Sequence, residues 1–458
     1  MTESRLSVTV LVLALVTALT GCTPPPLARP EPPLPAAFPQ TGESPTPVPA
    51  WRDFYREPAL QQLIEAALAH NRDLRVAAAR VEEARALAGL ARADRLPTLE
   101  AQTSANRTRL PRDLSGTGTS RIADRYDVGL GMTAFELDFW GRLAALDEAA
   151  RAQYLASEEA QRAFRVGLIG EVALAWYQLG ELAERQRLAE ETLKNRSASL
   201  ALLTKRREVG LASALEVLAA QGLVESVRGQ LAELRRQRAQ VENALALLTA
   251  HAVPLPPPLL TPQAMRLTPG LPSETLLARP DVGAAEQRLL AAHANVVAAR
   301  AAFFPRIVLT ASIGTASAAL SGLFDASSGA WLFQPVLRLP LFDSGRLEGG
   351  LDLAEARKVA AVADYERTVQ QAFREVADAL AARAAYAEEA QALERVLAAQ
   401  RARLARVEAR QRAGLGSYLE VLDAARDTFA AEQALVTARR LLLSSEAVLY
   451  KALGGGAQ

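Results

Sequence analysis

The sequence predicts a mainly α chain with transmembrane β-structure: four β-strands per protomer completing a twelve-stranded trimeric β-barrel, continued by a long antiparallel coiled-coil α-helical barrel. Three observations predict it. The chain is an internal twofold repeat, it holds two very long proline-free stretches with apolar residues at helical spacing, and each repeat carries one pair of alternating segments of strand length.

The repeat emerges when the second half is laid over the first. Asn71-Arg72-Asp73 falls opposite Arg279-Pro280-Asp281, and Arg95-Leu96-Pro97 opposite Phe303-Phe304-Pro305, both 208 positions apart. Phe139-Trp140-Gly141-Arg142-Leu143 then falls opposite Asp343-Ser344-Gly345-Arg346-Leu347, and Gly210-Leu211-Ala212-Ser213 opposite Gly414-Leu415-Gly416-Ser417, now 204 apart. The surplus in the first unit therefore lies between Pro97 and Gly141.

Each unit reads as helix, strand, loop, strand, very long helix, tight turn and returning helix. The first helix is expected from Pro58 to Arg95, stopped by Pro97. After it, Leu99, Ala101, Thr103 and Ala105 alternate with Glu100, Gln102, Ser104 and Asn106, and Tyr126, Val128, Leu130, Met132 and Ala134 share a face beyond a Gly/Ser/Thr-rich loop. Unit two repeats the pattern with Ile307, Leu309, Ala311 and Ile313, then Trp331, Phe333, Leu337, Leu339 and Leu341, leaving Gln334 and Arg338 on the other side. Strands of about ten residues that are apolar on one face only suit a membrane barrel. Phe139, Trp140, Trp331 and Phe342 lie near strand ends, where an aromatic belt belongs.

No proline occurs between Pro111 and Pro254 or after Pro340. Phe164, Leu168, Val172, Ala175, Leu179 and Leu182 recur at threes and fours, as do Val362, Tyr365, Val369, Phe373, Val376 and Leu380. A helix from Arg142 to Glu208 is on the order of 100 Å long, far beyond a bilayer core of roughly 30 Å, so it must project into water. Gly210 and Gly414 end the long helices.

Four strands cannot close a barrel, because bare edges in lipid leave backbone groups unpaired at a cost of several kcal/mol each. The strand count alone permits a dimer with about eight strands or a trimer with about twelve. Long helices that continue the barrel, strand matched to helix, favour the trimer.

Composition narrows the function. Lys and Arg total 52 against 51 Asp and Glu, which gives no reason to expect nucleic acid as a partner. His70, His251 and His293 stand apart without metal-ligand spacing, and no phosphate loop or nucleophile elbow occurs, so no catalytic residue, metal or cofactor is expected. The only cysteine, Cys22, follows Arg5, an apolar run from Leu6 to Leu19, and Thr20-Gly21. That run is short for a membrane span and has the layout of an export signal. Leu19-Thr20-Gly21-Cys22 resembles the bacterial lipobox, which implies cleavage before Cys22 and a covalent diacylglycerol and N-acyl chain on it. By resemblance to lipoprotein sorting, Thr23 in place of an aspartate implies the outer membrane. Eleven of the 25 prolines fall within residues 23–49, forming a spacer.

The expected division is therefore a signal at 1–21, a lipidated N-terminus and Pro-rich tether at 22–57, and a first repeat at 58–250 with its strand pair at 98–140. A connecting equatorial segment at 251–280, a second repeat at 281–453 with its strand pair at 306–343, and a tail at 454–458 complete it.

This plan resembles the outer membrane efflux protein family of TolC and OprM type, especially lipidated, NodT-type members serving resistance-nodulation-division systems. Besides the repeat, the resemblance rests on Phe139-Trp140-Gly141-Arg142, Ala278-Arg279-Pro280-Asp281 and the end Tyr450-Lys451-Ala452-Leu453-Gly454-Gly455-Gly456. It implies a passive homotrimeric exit duct in the outer membrane, docked on a periplasmic membrane-fusion adaptor and an inner-membrane proton-driven transporter, that exports drugs and other amphipathic compounds. It implies adaptor contacts at the tips, Gly210, Leu211 and Ser213 with Gly414, Leu415 and Ser417, and a periplasmic gate at Leu419 and Asp423 with Arg426 bracing it. Leu419 and Asp423 share a helix face, and Arg426 reaches Asp423. Unit one has Leu215 but Ala219 at the corresponding positions, so an acidic ring comes from unit two alone. A tyrosine found near Gln411 in some relatives is missing here. Protein secretion through the same fold, and a lipid-anchored periplasmic coiled-coil scaffold, are the competing readings; the second leaves the paired amphipathic hairpins unexplained.

Overall fold

The computed structural model describes residues 30, 48–116, 118–250, 260 and 273–456. Cys22, the export signal, most of the Pro-rich tether and much of the 251–280 connection lie outside the described residues.

Absence of proline and abundance of Ala, Leu, Arg and Glu let helix propagate without interruption. Four helices begin and end at corresponding places in the two repeats: α4 (Arg142–Glu208) and α7 (Arg346–Arg412), each of 67 residues, and their returning partners α5 (Ala214–Thr249) and α8 (Tyr418–Ala452). The helices that precede the strands, α3 (Arg72–Ala93) and α6 (Pro280–Ala301), both have 22 residues. The first expected helix is in fact divided into α2 (Pro58–His70) and α3. Asn71 separates them: its side chain accepts from the Leu74 amide and donates to the Leu248 carbonyl, capping one helix while anchoring the break. A single turn, α1 (Trp51–Phe54), precedes α2.

The described chain divides into two compact bodies. One is built around Val81–Ser157 and Ala285–Tyr365 and contains all the strands. Its sheet has the order β1 (Leu99–Leu110), β2 (Arg121–Leu137), β3 (Arg306–Ser317) and β4 (Gly329–Arg338), every pair antiparallel. Within the first repeat's surplus, β2 is longer than β4, 17 residues against 10, and carries a bulge between Met132 and Phe135 with Ala134 at φ 57°. Leu339 and Leu341 fall beyond β4 rather than in it.

Strand gives way to helix through an acid and a glycine in both repeats. Asp138 accepts from the amides of Leu143 and Ala144 at the start of α4, and Asp343 from Gly345 and Leu347 at the start of α7. Gly141 and Gly345 supply the left-handed backbone these turns need, at φ 73° and 81°.

The second body is built around Glu158–Ala284 and Glu366–Gln458 with the segment up to Arg80. Its core gathers Trp51, Phe54, Tyr55, Leu60 and Ile64 against Val172, Trp176, Leu234 and Tyr450. Phe54 stacks on Tyr450 at 4.2 Å, and Trp176 donates to Glu57 at 2.9 Å. Buried Arg279 of the Arg-Pro-Asp motif holds the end of α8: it donates to the Ala452 carbonyl and pairs with Asp281 and Glu375. The following glycines fold back so that Tyr450 donates to the Gly455 carbonyl. No described helix is long and apolar enough to cross a membrane.

Candidate channel wall and periplasmic gate

Register decides which side chains form the wall. Because side chains alternate across a strand, directly paired residues share a face. One row runs Leu99, Met132, Ala311, Phe333; the next runs Ala101, Leu130, Ile313, Trp331. The four alternations combine into one continuous apolar face, with one departure from the sequence expectation: the β2 bulge takes Ala134 out of the row and brings Phe135 and Leu137 into it, opposite Leu309 and Ile307. Trp331, Ile313 and Leu130 on it are more than half exposed in the single chain. The opposite face carries Gln102, Ser104, Asp127, Ser312, Gln334 and Arg338, with Val308, Leu332 and Val336 interspersed among them. Gly129 and Gly314 pair there, and a Cβ on Gly129 would lie 2.6 Å from the Ile313 carbonyl oxygen, so glycine lets β2 and β3 approach. At the helix-side end, Trp140 stacks on Phe304 at 4.8 Å and donates to the Pro305 carbonyl, while Phe139 and Phe342 are exposed.

β1 and β4 are the outer strands of this sheet, and neither has a second strand partner among the described residues. An apolar face flanked by two open edges is a segment of a barrel, not a finished one.

The two helix turns are built alike. Leu211 and Gly210 donate to the carbonyls of Arg206 and Arg207, and Leu415 and Gly414 to those of Arg410 and Gln411, the paired bonds of a Schellman ending. Gly210 and Gly414 take φ 73° and 75°. Ser213 and Glu216 then form a reciprocal capping box at the start of α5, whereas Ser417 accepts from the Leu419 amide at the start of α8. The hydrophobic contact that often accompanies a Schellman ending is missing at both turns, since Leu211 and Leu415 are 77% and 72% exposed.

Beyond the second turn, Leu419 is half-buried against Leu203, Val217, Ala220 and Leu422. Asp423 and Arg426 pair at 3.2 Å, both side chains more than half exposed. Arg426 also contacts Asp427 at 3.2 Å, so both of its partners are on its own helix. The tie to α7 is Arg403–Asp427 at 2.8 Å, seconded by Arg401–Glu432 at 2.7 Å. Hydrogen bonds from Arg403 and Arg426 hold the Asp427 carboxyl below the usual range. Within the protomer, α8 is tied to α7 here through Arg403 and Asp427, residues that sequence reasoning did not single out. Their signal was the acid directly after Arg426.

A cavity of about 520 Å³ opens beside these residues, between the two helical hairpins. Arg196 on its wall is 9% exposed; it donates to the Leu223 carbonyl and lies 5.4 Å above the Phe429 ring, but its Nη2 has no partner. Burial and the facing charge of Arg426 lower its pKa. Farther along the hairpins, Glu181 is buried and accepts from Thr437, Arg440 and Arg185, joining α4 to α8.

An apolar strand face on one side, a polar face on the other, and helices several times longer than a bilayer is thick define a subunit of a membrane channel with a periplasmic extension. The sequence profile of the outer membrane efflux protein family matches residues 63–251 and 271–455, and the chain belongs to that family. The solvent efflux pump outer membrane protein SrpC of Pseudomonas putida is 46% identical over 90% of this chain and 88% of its own length. Outer membrane protein OprJ of Pseudomonas aeruginosa is 45% identical over 89% and 86%. The open state of the MtrE outer membrane channel of Neisseria gonorrhoeae superposes with a TM-score of 0.86, at 36% identity, covering 95% of this chain and 99% of that one. The chain is an outer-membrane efflux channel protein with the TolC-type fold.

Proposed function

We propose that three copies join β4 of one to β1 of the next, closing a twelve-stranded barrel that serves as the passive exit duct of a tripartite efflux pump. The observation that carries this reading is the four-stranded sheet with one continuous apolar face and two open edges. Three copies satisfy every edge and turn the polar face toward a water-filled lumen. Acyl chains on Cys22 add a second anchor. Exposed Leu211 and Leu415 beside the capped turns at Ser213 and Ser417 supply contacts for the helical hairpins of a periplasmic adaptor, through which a proton-driven inner-membrane transporter delivers its cargo. The cargo is drugs and other amphipathic compounds; the solvent efflux in the name of SrpC fits that class. The polypeptide supplies no energy and no catalysis.

Three copies of Leu419 and Asp423 narrow the periplasmic mouth. Asp423 is exposed and its Arg426 partner is equally solvated, so the ion pair itself adds little. Three facing carboxylates at about 6 Å repel by under roughly 1 kcal/mol per pair in water-like dielectric, a small push toward opening that neighbouring contacts must offset to hold the mouth shut. The test is single-channel recording of the lipidated protein in planar bilayers, with cross-linking to count subunits. Discrete openings from a three-subunit particle are expected, with larger or more frequent openings for Asp423→Ala combined with Arg426→Ala. Unchanged conductance in that variant would reject the gate, and a particle of any other subunit number would reject the barrel.

A further inference from the structure

The strand-bearing body contains an open cavity of about 490 Å³ with a basic wall. Arg142 and Gln153 of α4, Arg288 and Asn295 of α6, Arg306 of β3 and Arg357 of α7 supply its polar groups, alanines fill most of the remainder, and no carboxylate lines it. Arg142 is neutralised by a two-point pair with Glu136, at 2.8 and 2.7 Å. Arg288, Arg306 and Arg357 have no ion pair or hydrogen-bond partner among the described residues. Arg338, opposite Arg306 in the β3–β4 register, is equally unpaired. Acids are not scarce nearby. Glu355 of α7 pairs with Arg300 at 2.8 Å and Asp147 of α4 with Arg95 at 2.7 Å, but neither lines the cavity.

Register tells which face of the sheet the strand contribution to the cavity, Arg306, lies on. Arg306 and Arg338 form one pair of the β3–β4 ladder, and Thr310 with Gln334 is another on the same face, opposite the apolar face that contains Phe333 and Trp331. If the apolar face meets lipid, the cavity meets the lumen. Cationic side chains on low-dielectric walls focus their field into the enclosed water and raise the local concentration of counter-ions there.

We propose that Arg288, Arg306 and Arg357, repeated around the duct, form a lumenal collar that transiently binds organic anions and favours the passage of solutes bearing carboxylate, sulfonate or phosphate groups. The inference rests on the duct reading only for the assignment of the lumen. Guanidinium groups suit such ligands because their planar donors match oxyanions while staying charged at any physiological pH.

The test uses the full lipidated protein in neutral detergent at low salt, with pyranine, a trisulfonated pyrene dye, as probe and fluorescence anisotropy as readout. The triple variant R288Q/R306Q/R357Q is expected to bind the dye about tenfold more weakly, and added salt to weaken the wild type toward it. Arg300→Gln, outside the cavity, should bind as the wild type does. The three single variants alter exposed, unpartnered side chains, and each should lose about twofold or more, so the answer does not depend on the triple variant folding. Equal binding by the wild type and the single variants would overturn the collar. In bilayers under a potassium chloride gradient, the triple variant should reverse nearer the potassium side than the wild type; identical reversal potentials would also count against the collar. A protein that binds dye through these arginines yet never conducts would support the collar and strike instead at the duct.

Discussion

Glu446 of α8 is a carboxyl group placed where an ionised one is costly. It is 6% exposed, lies among the aromatic residues of the second body's core, and its Oε2 has no hydrogen-bond partner. Arg383 approaches only to 3.9 Å, while Tyr55, just after α1, and Tyr177 of α4 face it. Burial pushes its pKa from the ordinary 4.5 to about 7, with the Arg383 charge opposing the rise. A folded-state pKa above the unfolded one means the group weakens the fold as pH rises. There is no penalty below about pH 4.5, a growing one up to about 7, and the whole of it above. A rise from 4.5 to about 7 corresponds to roughly 3 kcal/mol. Glu446→Gln keeps the shape and removes the charge, so it should stabilise the protein by up to about 3 kcal/mol at pH 8.5 and leave it nearly unchanged at about pH 4.5. Thermal melting of the detergent-solubilised protein, followed by near-ultraviolet circular dichroism across that range, measures the difference. Parallel curves for wild type and variant would refute the reasoning, and a variant less stable at high pH would show instead that Arg383 holds an ionised Glu446 in a net favourable pair.

Two further substitutions test the ties within the second body. Burial raises the Glu181 pKa, but hydrogen bonds from Thr437 and Arg440 and the charges of Arg440 and Arg185 outweigh it, so the net shift is downward. Its stabilisation is therefore present above the ordinary carboxylate value and lost as pH falls through the lowered one; Glu181→Gln should cost about 2–3 kcal/mol near neutrality, and its acid-unfolding curve should converge with the wild type's. Arg279→Ala removes the donor to the Ala452 carbonyl and leaves Asp281 and Glu375 without their shared partner. A loss of about 3 kcal/mol and faster protease cleavage at Gly454–Gly456 are expected, and unchanged cleavage would count against its role as the clasp of the C-terminal turn.

Much of the fold was legible because two periodicities and one duplication determine it. Proline-free stripes at threes and fours gave helices whose ends match the glycine positions, and alternation gave strands whose apolar sides pair in register. What was missed depends on contacts distant in sequence. Asn71 carries only the weak local signal of an N-cap, its bond from the Leu74 amide, and the rest of its anchoring comes from the distant Leu248 carbonyl. The β2 bulge inserts a residue without disturbing composition. At the candidate gate, the resemblance pointed to Asp423 and spacing paired it with Arg426, because three residues on a helix are local, whereas Arg403–Asp427 and buried Arg196 depend on how one helix lies against another. The cavity arginines escaped for the same reason: they come from four elements and share no sequence pattern.

The two repeats preserve scaffold and diverge where function is proposed. Long helices of 67 residues and near-identical returning helices are the shared part, and so is the glycine turn with its φ near 75°. At the first turn, Ser213 and Glu216 cap each other, and the helix continues with Leu215 and Ala219, giving an end held by its own side chains. At the second, Ser417 caps through the Leu419 amide, Glu420 lies 3.8 Å from Arg410 across the turn, and Asp423, Arg426 and Asp427 bring a charge cluster where the first repeat has none. Exposed ion pairs such as Asp423–Arg426 contribute little and exchange readily with water, so at this end α8 is tied to α7 chiefly by Arg403–Asp427 and Arg401–Glu432. Arg196 of the first hairpin faces the Arg426 charge with its Nη2 unpartnered, while its guanidinium lies over the Phe429 ring of α8. The proposed gate thus rests on the repeat that carries the charge cluster, and displacement of α8 and the end of α7 is the motion to look for when the mouth opens.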